Sequence, residues 1–208
     1  MKQPVTLAIT GASGSVYGAK TLAWLINNDF HVDLILSTTA FKVCQVELSV
    51  TLESESSSSV KDTLLRLIKE KGWLLSSKEP SVRVWSNTNL AASISSGSFQ
   101  SKGMIISPCS VGTMSRIAGG ISSDLISRAA DVCLKERRPL VVVLRETPLS
   151  SIHLQNMLTL SNAGGIILPA APGFYNSPAS IDDLVDFIVG KTLDATNIEN
   201  DAYRRWMS

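Results

Sequence analysis

Six short apolar runs, separated by stretches with helical spacing, constrain this chain more than any other feature of its sequence. The runs are Val5–Thr10, Val32–Ser37, Val82–Trp85, Met104–Ser107, Leu140–Leu144 and Ile166–Leu168. Most are continuously apolar rather than alternating, which suits strands covered on both faces. Between them lie helix-like stretches at 15–28, 39–48, 60–71, 110–136 with a break at Gly119-Gly120, 150–163 and 181–192. Such alternation predicts an α/β fold: an open, mostly parallel sheet with helices on both faces.

The bulk properties narrow the function classes. The chain has 208 residues, 44% apolar and 18% charged, with a net charge of +1. That is globular composition, and nothing in it calls for nucleic acid or an anionic membrane as partner. No apolar run reaches the roughly 20 residues of a spanning helix. Met1-Lys2-Gln3-Pro4 leads straight into the first run, without the apolar segment of a signal peptide. Cys44, Cys109 and Cys133 are odd in number and widely spaced, as expected of a reduced, cytoplasmic protein. His31 and His153 have no close Cys, His or carboxylate at ligand spacing, so no metal is expected. One domain over 1–208 is expected, with a serine-rich, irregular insertion at about 53–59 and a tail at about 193–208.

Several boundaries have readable chemistry. Ser180-Ile181-Asp182-Asp183 has the form of a capping box, with acidic groups where the helix dipole favours them. Thr147-Pro148 places a capping hydroxyl before a proline at the first helical position. Gly164 is a candidate helix stop. The small, polar segment 91–101 is either a surface loop or a contact to a ligand or neighbouring subunit.

The candidate chemistry gathers at the carboxyl ends of the predicted strands. Gly11-Ala12-Ser13-Gly14 follows the first strand and opens a helix, where free N–H groups suit a phosphate. No Gly-Lys-Ser/Thr follows, so it is not a P-loop. The second strand ends in Ser37-Thr38-Thr39 without the acidic residue that would hold a dinucleotide ribose, which favours FMN over NAD. The fourth ends in Pro108-Cys109-Ser110-Val111-Gly112-Thr113, where Ser110 is either a ligand contact or a helix cap. Cys109 reads as a packed small residue rather than a nucleophile. Arg145-Glu146 ends the fifth strand: an arginine suits a phosphate and a carboxylate suits proton transfer. Pro169–Tyr175 follows the sixth. On the helix between strands four and five, Asp124, Arg128, Asp131 and Lys135 share one face. That face is either solvated and tied by Asp131–Arg128 and Asp131–Lys135 pairs or part of a site.

Taken together, GASG at 11–14, AASISSGSFQ at 91–100, PCS at 108–110, RAADVCLKERRPL at 128–140, RETPL at 145–149 and PAAPGFY at 169–175 resemble the flavin prenyltransferases of the UbiX/Pad1 family. That family sits in the flavoprotein group related to phosphopantothenoylcysteine decarboxylases, whose Pro-x-Met-Asn-type motif is absent here. The resemblance implies a Rossmann-like fold, a homododecamer and no metal. It also implies transfer of a dimethylallyl group from dimethylallyl monophosphate to N5 and C6 of reduced FMN. The prenylated FMN would serve a UbiD-type decarboxylase. It further implies FMN contacts from Gly11, Ala12, Ser13, Ser37, Ser110, Val111, Gly112, Thr113 and Arg145. Donor contacts would come from Tyr175 and Lys191, with Arg128 and Lys135 entering from a neighbouring subunit. Ser13, Glu47, Glu146 and Lys135 match the family's catalytic groups. Some relatives carry arginine at position 191; lysine keeps the charge and loses the planar fork. A direct FMN-dependent decarboxylase of aromatic acids, or a non-enzymatic FMN carrier, would use much of the same site.

Overall fold

The computed structural model describes residues 2–50, 56–75 and 79–205. Its elements in chain order are β1 (Val5–Ile9), α1 (Ser15–Asn27), β2 (Val32–Leu36), α2 (Thr38–Leu48), α3 (Ser57–Glu70) and β3 (Val82–Trp85). A 3-10 turn at Ser93–Ser95 precedes β4 (Gly103–Cys109), α4 (Val111–Ala118), α5 (Leu125–Lys135) and β5 (Leu140–Leu144). The chain continues through α6 (Ser151–Asn162), β6 (Ile166–Pro169) and α7 (Ile181–Ala195). The strands form one six-stranded sheet in the order β3-β2-β1-β4-β5-β6, parallel throughout. This is the open, Rossmann-like parallel sheet expected. The chain leaves β1 to one side for β2 and returns to its other side as β4, which opens a crevice at their carboxyl ends.

Alternation along the strands divides the core into two layers. Val5, Leu7 and Ile9 of β1, with Val141 and Val143 of β5, pack beneath α1, α2, α3 and α7. Ala8, Met104, Ile106, Leu140, Val142 and Leu144 face α4, α5 and α6. Each fully buried leucine or isoleucine here contributes about 1.5–3 kcal/mol of transfer free energy. Gly18 lets α1 approach β4 closely, because a Cβ there would collide with the carbonyl oxygen of Ser107.

Two boundary expectations are corrected. The serine-rich stretch is not irregular throughout: 51–55 lie outside the described residues, but Ser57–Ser59 form the first turn of α3, with Ser56 accepting from the Ser59 N–H. The buried stripe Val60, Leu64, Leu67 and Ile68 draws that turn into the helix. Thr147-Pro148 does not start α6; Ser150 does, in a capping box with His153. The capping box at Ser180 and Asp183 forms as expected. Among the described residues no helix is long and apolar enough to cross a membrane.

Candidate functional site

The crevice is built from the ends of β1, β2, β4 and β5. Thr10, one residue past β1, ties two of them together. Its N–H and Oγ1 both donate to the Pro108 carbonyl, at 3.1 and 2.9 Å, and its Oγ1 accepts from the Ser110 N–H at 2.8 Å. Thr10 is fully buried, so this knot is shielded from water and fixes the start of α4 beside the glycine loop. Ser110 caps α4 by accepting from the Thr113 N–H at 3.3 Å, and its hydroxyl donates to Thr113 Oγ1 at 3.1 Å. Ser110 therefore caps α4, which leaves its ligand reading untouched. First-turn N–H groups have no intrahelical partner, so those of Val111 and Gly112 point out of the helix into the crevice mouth. Ser37 caps α2 in the same way, with its hydroxyl 3.2 Å from that of Thr39.

The glycine loop uses its helix N-terminus differently from expectation. Gly14 takes a left-handed conformation with φ 101°, and no side chain of its own caps α1. Glu47, from the last turn of α2, does so instead. Its carboxylate accepts from the Gly14 N–H at 2.9 Å and the Ser15 N–H at 2.8 Å. Partial burial pushes this carboxyl up, but hydrogen bonds from the Ser13 hydroxyl and the Ser15 and Gly14 N–H groups outweigh it and hold the group below its ordinary value. Two of the donors expected for phosphate at α1 thus belong to an internal carboxylate, whereas α2 and α4 are capped only by their own Ser37 and Ser110.

Arg145 closes the other side. Its backbone N–H donates to the Cys109 carbonyl at 3.3 Å, and its Nε donates to the Ser13 carbonyl at 3.2 Å. The guanidinium thus spans from β5 to the glycine loop. Tyr17, in the first turn of α1, is half-buried; burial pushes its phenol up, against the opposing pull of Arg145. Glu146 is half-buried, and its carboxylate accepts from the Thr147 N–H at 3.0 Å. Burial pushes the Cys109 thiol up to about 12, which leaves it a packing group.

A model of the Flavoprotein family matches residues 1–193. The chain is 45% identical to the flavin prenyltransferase UbiX of Methanothermobacter thermautotrophicus, covering 97% of this chain and 94% of that one. It is 44% identical to the UbiX of Pseudomonas aeruginosa, over 97% and 93% of the two chains. This chain belongs to the UbiX family of flavin prenyltransferases. Among solved structures, AnUbiX (PadA1) in complex with FMN and dimethylallyl pyrophosphate superposes with a TM-score of 0.83 at 38% identity, covering 100% of this chain and 99% of that one. A dodecameric FMN-dependent UbiX-like decarboxylase from Escherichia coli O157:H7 gives 0.81 at 36% identity, with full coverage of both.

Against the UbiX family's pattern, one protomer gathers part of the expected set. Gly11, Ala12, Ser13, Ser37, Ser110–Thr113 and Arg145 all sit at adjoining strand ends, and Glu47 joins them through Ser13. Tyr175 is exposed in the loop after β6, with its ring edge-on to Phe187 of α7 at 5.9 Å. Lys191, one helical turn beyond Phe187, is exposed. Arg128 and Lys135 lie on the opposite layer. Arg128 pairs with Asp131 at 2.8 Å and its Nε donates to the Ser95 carbonyl, pinning the 91–101 loop. Lys135 pairs with Glu136, not with Asp131 as expected, and sits near the amino end of β5, away from the glycine loop. Sequence reasoning did not single out Thr10 or Tyr17. Their signal was only their position, Thr10 directly after β1 and Tyr17 in the first turn of α1.

Proposed function

We propose that the protein joins a dimethylallyl group from dimethylallyl monophosphate to N5 and C6 of reduced FMN. The observation that carries this reading is the convergence of hydroxyls, open N–H groups and Arg145 at the carboxyl ends of β1, β2, β4 and β5. That donor set fits a phosphorylated, neutral-ringed ligand. It supplies hydrogen bonds and one guanidinium and, among the described residues, no cluster of three metal-binding side chains. The Val111 and Gly112 N–H groups, with Ser110 and Thr113, hold the flavin phosphate. Gly11, Ala12, Ser13, Ser37 and Arg145 border the rest of the flavin. The donor's C1–O bond would break as N5 of reduced FMN replaces the phosphate, which takes the N5 proton; protonation of the remaining double bond would then let C6 add to it as C6 loses its own proton.

Tyr175 and Lys191 bind the prenyl phosphate and stabilise it as it departs, with Arg128 and Lys135 of a neighbouring subunit. Ser13, Glu47 and Glu146 handle protons. Glu47 is held ionised and orders the Ser13 hydroxyl, while Glu146 or the departing phosphate takes the C6 proton. The assembly is a homododecamer, as the E. coli relative's is described. The product passes to a UbiD-type decarboxylase, and the free, buried cysteines support a cytoplasmic setting.

Anaerobic incubation with reduced FMN and dimethylallyl monophosphate, read by mass spectrometry, tests the reading. A gain of one dimethylallyl unit on the flavin is expected. A parallel reaction with the diphosphate separates the two donors. Loss of CO2 from an aromatic acid with no change in flavin mass would select a direct decarboxylase, as some relatives are described. Bound, unchanged FMN in every reaction would select a carrier.

A further inference from the structure

The C-terminal tail beyond α7 does not trail away from the fold. Asn200, Tyr203 and Arg205 all turn back onto Asp194. Asn200 Nδ2 donates to Asp194 Oδ1 at 2.8 Å, the Tyr203 hydroxyl to Asp194 Oδ2 at 2.8 Å, and Arg205 Nη2 to Asp194 Oδ1 at 2.8 Å. Asn200 also donates to the Gly190 carbonyl at 3.2 Å. The Tyr203 ring fills the notch at Gly190, where any Cβ would collide with it. From that notch the ring meets Phe187 edge-on, with centroids 5.3 Å apart and planes at 76°. Phe187 in turn meets Tyr175 edge-on at 5.9 Å and 81°. A second tie reaches the same loop directly, because Asn176 donates through its side chain to the Arg204 carbonyl.

An aromatic relay therefore runs from the tail through α7 to Tyr175, and the tail grips the loop on Tyr175's other side. Tyr175 itself is more than half exposed, so its own burial does little to fix the ring. We propose that Tyr203 is a positioning residue for the prenyl-donor subsite: seated at Gly190, it sets Phe187, and through Phe187 the ring of Tyr175. The inference rests on the proposed prenyl-transfer reading for the role of Tyr175. The relay ends at Tyr175, so its action is expected on the donor rather than on the flavin.

The test compares wild-type protein with Tyr203→Ala, Tyr203→Phe and Gly190→Ala, each loaded with reduced FMN. Dimethylallyl monophosphate binding is measured by equilibrium dialysis, and KM and kcat by flavin absorbance. Tyr203→Ala is expected to raise the donor Kd and KM by about three- to tenfold, the scale of one lost edge-to-face contact, with FMN affinity and kcat at saturation kept. Tyr203→Phe keeps the ring and is expected to restore donor affinity even if its melting temperature falls. Gly190→Ala should reproduce the Tyr203→Ala defect. If it fails to fold, the two Tyr203 variants decide the matter. A Tyr203→Ala protein with lowered melting temperature and unchanged donor Kd overturns the positioning role, as does equal loss of FMN and donor binding. A wild-type protein that binds donor without prenylating flavin refutes the functional reading instead, and the dialysis series still tests the relay.

Discussion

Glu47 shows how one side chain can change what a loop is for. Because its folded pKa is depressed, its contribution is complete above the ordinary carboxylate range and is lost as pH falls through the folded value. Glu47→Gln keeps one acceptor oxygen and loses the charge at the α1 N-terminus. We expect it to cost about 0.5–2 kcal/mol at neutral pH and to flatten the acid limb of the stability profile, both readable in urea melts at pH 7 and pH 4. Glu146 stands apart from this capping role. It bonds only the next residue's N–H among the contacts described above, so little of the fold depends on its charge. Glu146→Gln should melt like wild type and bind FMN, yet form prenylated flavin about 10²–10⁴-fold more slowly in single-turnover traces. A stable variant with wild-type rate removes the proton-handling role. With the Cys109 and Cys133 thiols both pushed to about 12, folded protein at pH 8 should leave them unalkylated by iodoacetamide, as peptide mapping would show.

The elements were legible where their chemistry is local. β3 and β5 match their apolar runs end to end, and the break at Gly119-Gly120 separates α4 from α5 as expected. Where tertiary packing decides, the sequence was a poorer guide. Polar composition at Ser57–Ser59 suggests a loop, but the stripe that follows buries against α1 and β3 and carries the first turn with it. Thr147-Pro148 has the chemistry of a helix start, yet Ser150 caps α6 three residues later. At the crevice, the glycine loop, Ser110 and Arg145 were readable from their places after strands. The bond from Glu47 was not, because it joins residues 33 positions apart across two helices. The close seat of α1 on β4 supplies a test at this scale. Gly18→Ala should lower stability by about 1–3 kcal/mol through overpacking against Ser107, measured as a fall in denaturation midpoint. An unchanged midpoint would mean that α1 can lift without cost.

At the scale of the molecule, one edge is left unfinished in a single protomer. Only Leu160 of α6 is buried, while Ile152 and Leu158 are 69% and 55% exposed, and Ile166 on the edge strand β6 is 39% exposed. A chain with this apolar edge is expected to self-associate, giving a light-scattering mass several times 22.3 kDa. The position of Lys135 sharpens the expectation. It lies at the other end of the sheet from the glycine loop, so it reaches a site only across a subunit contact. Mixing inactive Lys135→Ala with inactive Glu146→Gln chains before assembly should restore about one quarter of the sites, because random pairing returns that share with both residues intact. No recovery at all would confine each site to one chain. The use of Glu47 at α1 has a last consequence, for how long a flavin stays. With that helix end already satisfied from within, the phosphate of the proposed complex is left with the starts of α2 and α4, a few hydroxyls and Arg145, all of them non-covalent contacts. A grip of that strength suits a ligand that arrives as raw material and departs as finished goods, so bound FMN should trade places readily with labelled FMN added to the solution.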